Sequence, residues 1–448
     1  MITQLTEWLA PEWKSVLRHR LAVGAGYLII GQYAGATLNT LTNVIVARLL
    51  GPMDYGLLAL TLAFPTIVFS FAAVKSVSVI TRYVAGFRAT GESGRLKGVV
   101  KLGYALDIGM SLLALILVAT SAWWVASHFY GRSDLAWLMV AYATSFPLFS
   151  LTGVSRAVLS SWERWQLLAV LEVLHPLMKL CLVIGFILLG WGVAGAIVGM
   201  ATSQAAIGII MGITATYLLL RNGIGLWWRA SFEAISEIKG ELSVFFGWNY
   251  LLVTLSGFVS QIPLMFLGHF RGPEEAGFYR IALNIVTIGS YVKSSLVKVT
   301  YPNLSARWTV GEREAVSRSL KRWTLVAGIP LGIVFIFSVP LLTFFVPLLF
   351  GIAFRPAVLP AQIMMVGQAV STSVFWLNSF FFASGKIGTW VKGSILYTAV
   401  IVLASAFAAR RWGVVGLALL VTIVEVVFSL GMLVLASRYQ THQGGYRK

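Results

Sequence analysis

The sequence LLGPMDYGLLAL at residues 49–60 returns in altered form as FRGPEEAGFYRI at residues 270–281. A second pair of segments, WGVAG at 191–195 and WGVVG at 412–416, lies at the same offset of 221 residues (for example, from 191 to 412). Two motifs that share one offset, close to half the chain length, indicate an internal duplication. The matched positions of the first motif are Gly51, Pro52, Asp54, Gly56 and Leu57 in one copy, and Gly272, Pro273, Glu275, Gly277 and Phe278 in the other.

The residue types of the first motif are typical of a turn between two helices. Proline fixes φ at the start of a helix, and glycine allows a tight turn or a close helix contact. An acidic side chain near a helix start can accept hydrogen bonds from free N–H groups. We therefore expect one such turn in each half, with Asp54 or Glu275 capping the helix that follows.

The composition indicates that lipid is the main solvent of this chain. Of 448 residues, 58% are hydrophobic and only 11% are charged, and the mean hydropathy is +0.84. A soluble domain carries roughly 25% charged residues, about twice this fraction. The single cysteine, Cys181, excludes a disulfide framework and a cysteine-based metal site. We expect an all-α integral membrane protein.

Apolar runs long enough to cross a bilayer, which needs about 20 residues per helix, predict twelve spans. Their approximate bounds are 22–46, 55–80, 99–126, 134–157, 166–189, 193–219, 243–268, 275–300, 323–349, 356–382, 389–409 and 413–436.

The distribution of basic residues predicts the orientation of these spans. With the N-terminus inside, and with residues near a span end counted with the adjoining side, 25 of the 34 Lys and Arg residues are cytoplasmic and seven are outside. The remaining two, Lys75 and Lys179, lie deeper within spans. Because basic residues favour cytoplasmic loops, both termini are expected in the cytoplasm. The same bias accounts for the net charge of +18 without a nucleic-acid partner. A cleaved signal peptide ending near Ala34–Ala36 is a competing interpretation of the first span, which has a counterpart in the second half.

Six spans separate the two copies, so the halves should run parallel as two six-helix bundles related by a pseudo-two-fold axis along the membrane normal. The predicted domains are 1–20 (amphipathic N-terminus), 21–220 (first bundle), 221–242 (linker), 243–437 (second bundle) and 438–448 (tail). In the linker, two tryptophans, an arginine and three regularly spaced glutamates suggest an amphipathic helix on the inner membrane surface. The 221–242 linker is expected to be a plain connector, with a regulatory site as the alternative. These residues are Trp227, Trp228, Arg229, Glu233, Glu237 and Glu241.

The segment ARLLGPMDYGLLAL at 47–60 is repeated in altered form at 267–278, and basic stretches follow spans 2 and 8. In these features the chain resembles the polysaccharide-transport branch of the multidrug/oligosaccharidyl-lipid/polysaccharide exporter superfamily. The resemblance implies two six-helix bundles around a central cavity that is exposed to each side of the membrane in turn. It implies a polyprenyl-pyrophosphate-linked oligosaccharide as substrate, as for O-antigen flippases. The lipid II flippase, a more distant member, usually has two additional helices, whereas this chain ends soon after span 12.

Basic side chains within or beside spans are candidates for binding the pyrophosphate. Lys75 lies in span 2, seven residues before Arg82 and thus on the same helical face. In the second half, Lys293 and Lys298 lie near the inner end of span 8, and Arg280 lies one turn in from its outer end. Snorkelling of the lysines to the interface is the competing interpretation.

Glu172, His175 and Lys179 share one face of span 5, and Glu425 lies in the middle of span 12. A charged side chain within a span costs roughly 2.5–3.5 kcal/mol, so each should face a cavity or a partner. Coupling to a Na⁺ or H⁺ gradient would use these residues, although a neutralising Glu172–Lys179 pair explains span 5 equally. Asn39 in span 1 and Gln261 in span 7 could bind sugar or, alternatively, join helices by hydrogen bonds.

The resemblance, together with these candidate residues, implies a flippase that moves a lipid-linked oligosaccharide from the inner to the outer leaflet of the plasma (inner) membrane. No catalytic residue, metal or other cofactor is expected, and the protein is expected to be a monomer that associates with polysaccharide assembly enzymes. A multidrug antiporter is the first alternative, but it would need acidic residues in its cavity. A membrane-embedded glycan polymerase or ligase is the second, and the sequence has no large outer loop or catalytic motif to support it.

Overall fold

The computed structural model describes the backbone of residues 11–72, 77–231 and 257–444, and throughout these ranges the chain is helical or forms short connections. Of the residues singled out above, Lys75, Glu233, Glu237 and Glu241 lie outside this part of the chain, as does most of the 221–242 linker. The helices are α1 Pro11–Ala72, α2 Val77–Thr90, α3 Ser93–Trp124, α4 Leu135–Ala143, α5 Phe146–Ser161, α6 Trp165–Phe186, α7 Gly192–Arg221, α8 257–271, α9 Pro273–Thr309, α10 Arg313–Trp323, α11 Ile329–Phe350, α12 Val358–Ser373, α13 Leu377–Ala383 and α14 Ile387–Gly444.

Seven stretches of the described helices are long and apolar enough to cross a membrane. They are Gly26–Phe71, Ser93–Phe129, Leu135–Ser161, Trp165–Arg221, Arg313–Phe350, Ile352–Ala383 and Ile387–Tyr439. Three of them, with 46, 57 and 53 residues, exceed twice the ~20 residues that one crossing needs.

Each of these three long stretches contains a glycine that interrupts the helix with a positive φ. Gly51 has φ 73° and ψ 176°, and its repeat counterpart Gly272 has φ 90° and ψ 179°. Gly192 has φ 50° and ψ −129°, and its counterpart Gly413 has φ 60° and ψ −146°. Only glycine adopts such conformations at low cost. The two motifs therefore repeat in backbone conformation as well as in sequence, as the common offset predicts.

Two of the interrupted stretches fold back on themselves. In the first, a Cβ on Gly199 of α7 would lie 2.7 Å from the Val183 Cα of α6, and Gly195 faces the Phe186 backbone. In the second, the halves of α14 are joined by a hydrogen bond between Tyr397 and Glu425. In both cases, residue numbers rise along one helix and fall along the other, so each stretch forms an antiparallel hairpin.

The chain divides into two compact units. The first comprises the described residues within Met1–Thr42, Val68–Ala122 and Trp137–Tyr250, and the second those within Asn43–Ile67, Trp123–Ala136 and Leu251–Lys448. These units and the sequence repeat divide the chain differently, because two segments of the first half belong to the second unit. The domain boundaries expected from the repeat stay a prediction.

Each unit has its own apolar core. In the first unit, side chains of α2, α3, α5 and α7 pack around the buried Val100, Tyr104, Val154 and Met211. In the second unit, α9, α10, α13 and α14 pack around residues such as Leu304, Phe375, Phe380 and Met432. Burial of side chains of this size supplies most of the packing energy that holds the helices together.

The two copies of the GP motif contact each other within the second unit. Gly56 lies against the Pro273 carbonyl, and Gly277 lies against the Pro52 carbonyl, whose oxygen would be 2.5 Å from an added Cβ. Since Pro52 corresponds to Pro273 and Gly56 to Gly277, the contact is reciprocal. The motif glycines are therefore needed for backbone contact between the copies, in addition to the turn itself.

Glu275 caps a helix other than the one that it begins. Its carboxylate accepts a hydrogen bond of 2.8 Å from the N–H of Val414, at the first turn after the Gly413 break. At the start of α9 itself, Gly272 makes no side-chain capping bond. The expectation that Glu275 caps its own helix, α9, was therefore wrong. The break at Gly413 frees N–H groups at the start of the second half of α14, and the carboxylate of Glu275 reaches these instead.

Replacing Glu275 by glutamine should lower the melting temperature of the purified protein, because a neutral amide oxygen is a weaker partner for a helix N-terminus than a carboxylate. Loss of a cap costs about 1 kcal/mol, so a decrease of about 2–4 °C is expected in thermal denaturation. The matched control is Glu274→Gln, which removes the same charge from the exposed neighbouring position. Equal melting temperatures of the two variants would contradict a capping role.

Candidate functional site

A cluster of polar side chains lies among apolar helices of the second unit and is called here the C-terminal polar cluster: Lys293, Ser371, Tyr397 and Glu425. Lys293 of α9 donates a hydrogen bond of 2.9 Å from Nζ to Ser371 Oγ on α12. The same Nζ lies 4.0 Å from Glu425 Oε1 on the second half of α14. The other carboxylate oxygen of Glu425 accepts a hydrogen bond of 2.8 Å from the Tyr397 hydroxyl. The cluster thus joins α9, α12 and both halves of α14.

Both side chains of the ion pair are partly exposed, and the pair is long. The Lys293 side chain is 32% exposed and that of Glu425 is 27% exposed, and their separation of 4.0 Å is long for a hydrogen-bonded pair. Opposite charges reduce the cost of placing either one within an apolar helix. A pair held this loosely can exchange partners with a ligand more readily than a fully buried, bidentate pair.

A second polar layer supports the cluster. Gln368 of α12 accepts a hydrogen bond of 3.4 Å from Ser290 of α9 and donates one of 3.3 Å to Thr372. Gly289 allows this approach, since an added Cβ would lie 3.1 Å from the Gln368 side chain. These contacts fix the registration of α9 against α12, and therefore the position of Lys293 opposite Ser371.

The first unit has its own group of charged side chains, the N-terminal polar cluster: Asn39, Arg156, Glu172, His175 and Lys179. Arg156 of α5 lies 2.7 Å from the Glu172 carboxylate on α6, and Lys179 donates a hydrogen bond of 3.3 Å to Asn39. The His175 ring packs near the Phe149 ring, with centroids 5.6 Å apart.

Glu172 is therefore neutralised by Arg156 rather than by Lys179, the partner considered from the sequence. The predicted span 134–157 places Arg156 at its cytoplasmic end, but α5 extends to Ser161 and places Arg156 more than one turn inside the helix. Gly35 explains the contact between α1 and α6, because a Cβ there would lie 3.0 Å from the Glu172 carbonyl oxygen. That approach brings Asn39 beside Lys179.

The repeat counterpart of Glu425 is Gln204, and the two positions have similar partners. Gln204 accepts a hydrogen bond of 2.7 Å from Ser145 and donates one of 2.9 Å to the Tyr142 hydroxyl. Both positions thus bind a tyrosine hydroxyl, but only the second half carries a charge. A neutral amide therefore suffices to bond a tyrosine at the Gln204 position, whereas the carboxylate of Glu425 also faces Lys293.

The structure describes four of the other candidate residues: Arg82, Lys298, Arg280 and Gln261. Arg82 and Lys298 are exposed on α2 and α9. Arg280 lies next to the Tyr55 hydroxyl, which also accepts a hydrogen bond of 2.8 Å from Asn284. Gln261 is buried on α8, and Lys75 lies outside the described residues.

Sequence reasoning missed Tyr397, Ser371 and Arg156. The hairpin at WGVVG offered a signal for Tyr397, because a helix that folds back at Gly413 places residues at similar distances on either side of the turn opposite each other. Ser371 and Arg156 gave no comparable signal. In the part of the chain that the structure describes, no three His, Cys, Asp or Glu side chains are placed to hold a metal ion.

Comparison with known families gives the context for these clusters. The family model for polysaccharide biosynthesis proteins matches residues 21–308, well over half of the chain. The chain belongs to the polysaccharide biosynthesis protein family. An uncharacterized membrane protein of Methanocaldococcus jannaschii is 22% identical over 374 residues, covering 79% of this chain and 72% of that protein.

Solved structures of transporters share the fold of this family member. An inward-facing multidrug resistance MATE family transporter of the MOP superfamily superposes with a TM-score of 0.80 at 14% identity, covering 92% of this chain and 96% of that one. The lipid II flippase MurJ, in an inward closed conformation, gives 0.71 at 13% identity, covering 91% and 87%. A MOP superfamily transporter from Pyrococcus furiosus gives 0.67 at 15% identity, covering 93% and 95%. The fold is that of MOP-superfamily transporters.

Proposed function

We propose that this protein is a flippase that moves a polyprenyl-pyrophosphate-linked oligosaccharide from the inner to the outer leaflet by alternating access. The observation that carries the proposal is Lys293. Lys293 lies near the middle of helix α9, and 32% of its side chain is exposed. In a protein of a polysaccharide biosynthesis family, a partly exposed lysine among apolar helices suits the diphosphate of a glycolipid carrier.

The proposed transport cycle uses exchange of partners at the C-terminal polar cluster. A substrate diphosphate would compete with Glu425 for Lys293, because both are anions that accept hydrogen bonds from an ammonium group. Glu425 would then lose its counter-charge and would take up a proton or a Na⁺ ion to restore neutrality. Return of Glu425 to Lys293 would release the substrate on the outer side. The N-terminal cluster, with Lys179 and Arg156, would offer a second cationic surface.

The proposal includes twelve crossings arranged as two six-helix bundles, 21–220 and 243–437. The glycine breaks at Gly51, Gly192 and Gly413 support it, since each divides a stretch long enough for two crossings. Ser290 bonds to Gln368 and Lys293 bonds to Ser371, so α9 and α12 run in the same direction. Two helices separated by one intervening crossing are expected to do so. In the proposed orientation both termini are cytoplasmic, which the distribution of basic residues supports.

The inner membrane is the proposed location, and the glycosyltransferases that build the oligosaccharide would be nearby partners. The protein would act as a monomer and would leave its substrate chemically unchanged, which distinguishes it from a polymerase or ligase.

A multidrug antiporter is the second candidate, and it is supported by the similarity to the MATE transporter. An organic cation would be attracted to exposed acids, whereas the acids of both clusters here already lie beside Lys or Arg side chains. Uptake of an organic cation into inverted vesicles in exchange for protons, with no effect on surface polysaccharide in a deletion strain, would favour this candidate.

Export of surface polysaccharide in a deletion strain that carries plasmid-borne variants tests the proposed substrate class. Lys75→Ala is expected to abolish export, because an intramembrane cation that binds pyrophosphate is lost, and Lys75→Arg should retain partial export. Lys321→Ala, which removes an exposed cation of α10, is the matched control. Normal polysaccharide with Lys75→Ala at wild-type expression would remove Lys75 from the binding site.

A further inference from the structure

A groove in the first unit is unrelated to either polar cluster. It has a volume of about 390 Å³ and follows one stripe of α7 from Ile209 to Leu220. Tyr104 of α3, Leu151 of α5 and Trp227 complete its walls. It is called here the Trp227 groove.

Two polar groups of the groove lining are bonded to neighbouring side chains, and the lining surface is largely hydrocarbon. The Trp227 Nε1 donates a hydrogen bond of 3.1 Å to Thr216 Oγ1, and the Tyr104 hydroxyl is 2.8 Å from Ser155 Oγ. The Tyr104 and Trp227 rings stack with centroids 4.5 Å apart. A ligand of this groove therefore gains from apolar contact rather than from hydrogen bonds.

The dimensions of the groove match one lipid chain. Eleven residue steps of helix, from 209 to 220, span about 16 Å. This is half of the ~30 Å hydrocarbon core, or one leaflet. The volume lies at the lower end of the range for ligand pockets, about 300–1,000 Å³, and is too small for a whole polyprenyl tail. The groove also opens outwards, since Ile213 is 65% exposed and Tyr217 is 61% exposed.

Basic side chains lie at the Leu220 end of the groove. Arg221 directly follows Leu220, and Arg229 lies two residues after Trp227; both are exposed. Lys101, one turn before Tyr104, donates a hydrogen bond of 2.8 Å to the Ala230 carbonyl and fixes the Trp227 segment against α3. An apolar channel with cations at one end is complementary to an amphiphile with an anionic head group.

We propose that the Trp227 groove binds one acyl chain of an anionic phospholipid in the inner leaflet, with its phosphate beside Arg221 and Arg229. The leaflet follows from the orientation in the proposed function, whereas the binding itself does not depend on what the protein transports. The bound lipid would hold the segment 221–231 against α3 and α7. Stability of the purified protein would then depend on the head-group charge of the surrounding lipid.

Native mass spectrometry of the full-length protein in detergent tests the proposal, with two probes that share the same acyl chains: palmitoyl-oleoyl phosphatidylglycerol and palmitoyl-oleoyl phosphatidylcholine. The wild type should retain the anionic probe roughly tenfold better. Gly212→Leu should remove most of this retention, because Gly212 lines the groove and has only the Leu151 side chain within 4 Å of an added Cβ. The matched control is Gly185→Leu, at an exposed position of α6 with open space around its Cβ, which should leave retention unchanged.

The combined variant Arg221→Gln with Arg229→Gln should bind both probes equally. In the wild type, a photoreactive acyl-chain analogue of phosphatidylglycerol should crosslink to 209–220, a readout that requires no variant to fold. Equal retention of the two probes by the wild type, or crosslinks only elsewhere, would overturn the proposal. Displacement of the crosslink by polyprenyl phosphate, but not by phosphatidylglycerol, would also overturn it, by assigning the groove to the substrate tail. None of these measurements involves transport, so failure of the flippase proposal would leave them interpretable.

Discussion

Replacing Gly56 by alanine is expected to lower the melting temperature of the purified protein by roughly 5–10 °C. The added Cβ would overlap the Pro273 carbonyl, with the Pro273 carbonyl carbon 2.5 Å away and the Gly277 nitrogen 3.0 Å away. All three are backbone atoms, which cannot be relieved by a change of rotamer. One of the two helices must therefore move, and the reciprocal contact between Gly277 and the Pro52 carbonyl must move with it.

The control for this prediction is Gly431→Ala, in α14 of the same unit, where an added Cβ has open space around it. Alanine is preferred over glycine within a helix by about 1 kcal/mol, so this variant should be as stable as the wild type or slightly more stable. Gly277→Ala should resemble Gly56→Ala, because the two glycines have equivalent positions. The close contact would be contradicted if the melting temperatures of Gly56→Ala and Gly431→Ala differed by no more than about 1–2 °C, which is roughly the effect of an ordinary surface substitution.

Glu425→Gln is expected to reduce the transport rate by about tenfold or more while leaving the fold intact. The amide oxygen can still accept a hydrogen bond from the Tyr397 hydroxyl, which Glu425 accepts in the wild type. The amide of Gln204 also bonds to a tyrosine hydroxyl in the repeat, there as the donor to Tyr142. The new amide at position 425 cannot carry the negative charge that balances Lys293, nor take up a proton when a substrate phosphate displaces it. The measurement is export of surface polysaccharide, compared with the melting temperature of the same purified variant.

Two further variants separate the roles within the cluster. Lys293→Met keeps the length of the side chain but removes its charge, and should abolish export because the proposed phosphate ligand is lost. Tyr397→Phe removes only the hydroxyl and should reduce the rate modestly, since the ion pair remains. Wild-type export by Glu425→Gln would show that its charge is not part of the transport cycle. A melting temperature as low as that of Gly56→Ala would instead assign Glu425 a structural role.

The duplication is the feature that the sequence predicts best. Gly51 and Gly272, and likewise Gly192 and Gly413, have matching backbone conformations, because a sharp break in a helix needs glycine wherever it occurs. All-helical character follows as directly from the long apolar runs. The predictions for Lys293 and Glu425 were made separately, and the structure brings these two residues together.

Side-chain partners could not be predicted in the same way, since they depend on which helices become neighbours. Arg156 and Glu172 are on adjacent helices, but the depth of Arg156 depends on where α5 ends. Glu275 accepts a hydrogen bond from Val414, 139 residues away. This contact depends on where the hairpin of α14 lies in the fold, which the local sequence does not determine. The Trp227 groove likewise arises from three helices and a short connecting segment that no single motif links.

The most direct test of the flippase proposal uses the purified protein in liposomes that contain a fluorescent polyprenyl-pyrophosphate-linked oligosaccharide. A membrane-impermeant quencher added outside reports the fraction of the probe in the outer leaflet over time. The proposal predicts that the protein accelerates movement of the probe between leaflets, that Lys293→Met removes this acceleration, and that the recovered probe is chemically unchanged. Movement no faster than in protein-free liposomes, together with transport of an organic cation by the same preparation, would contradict it.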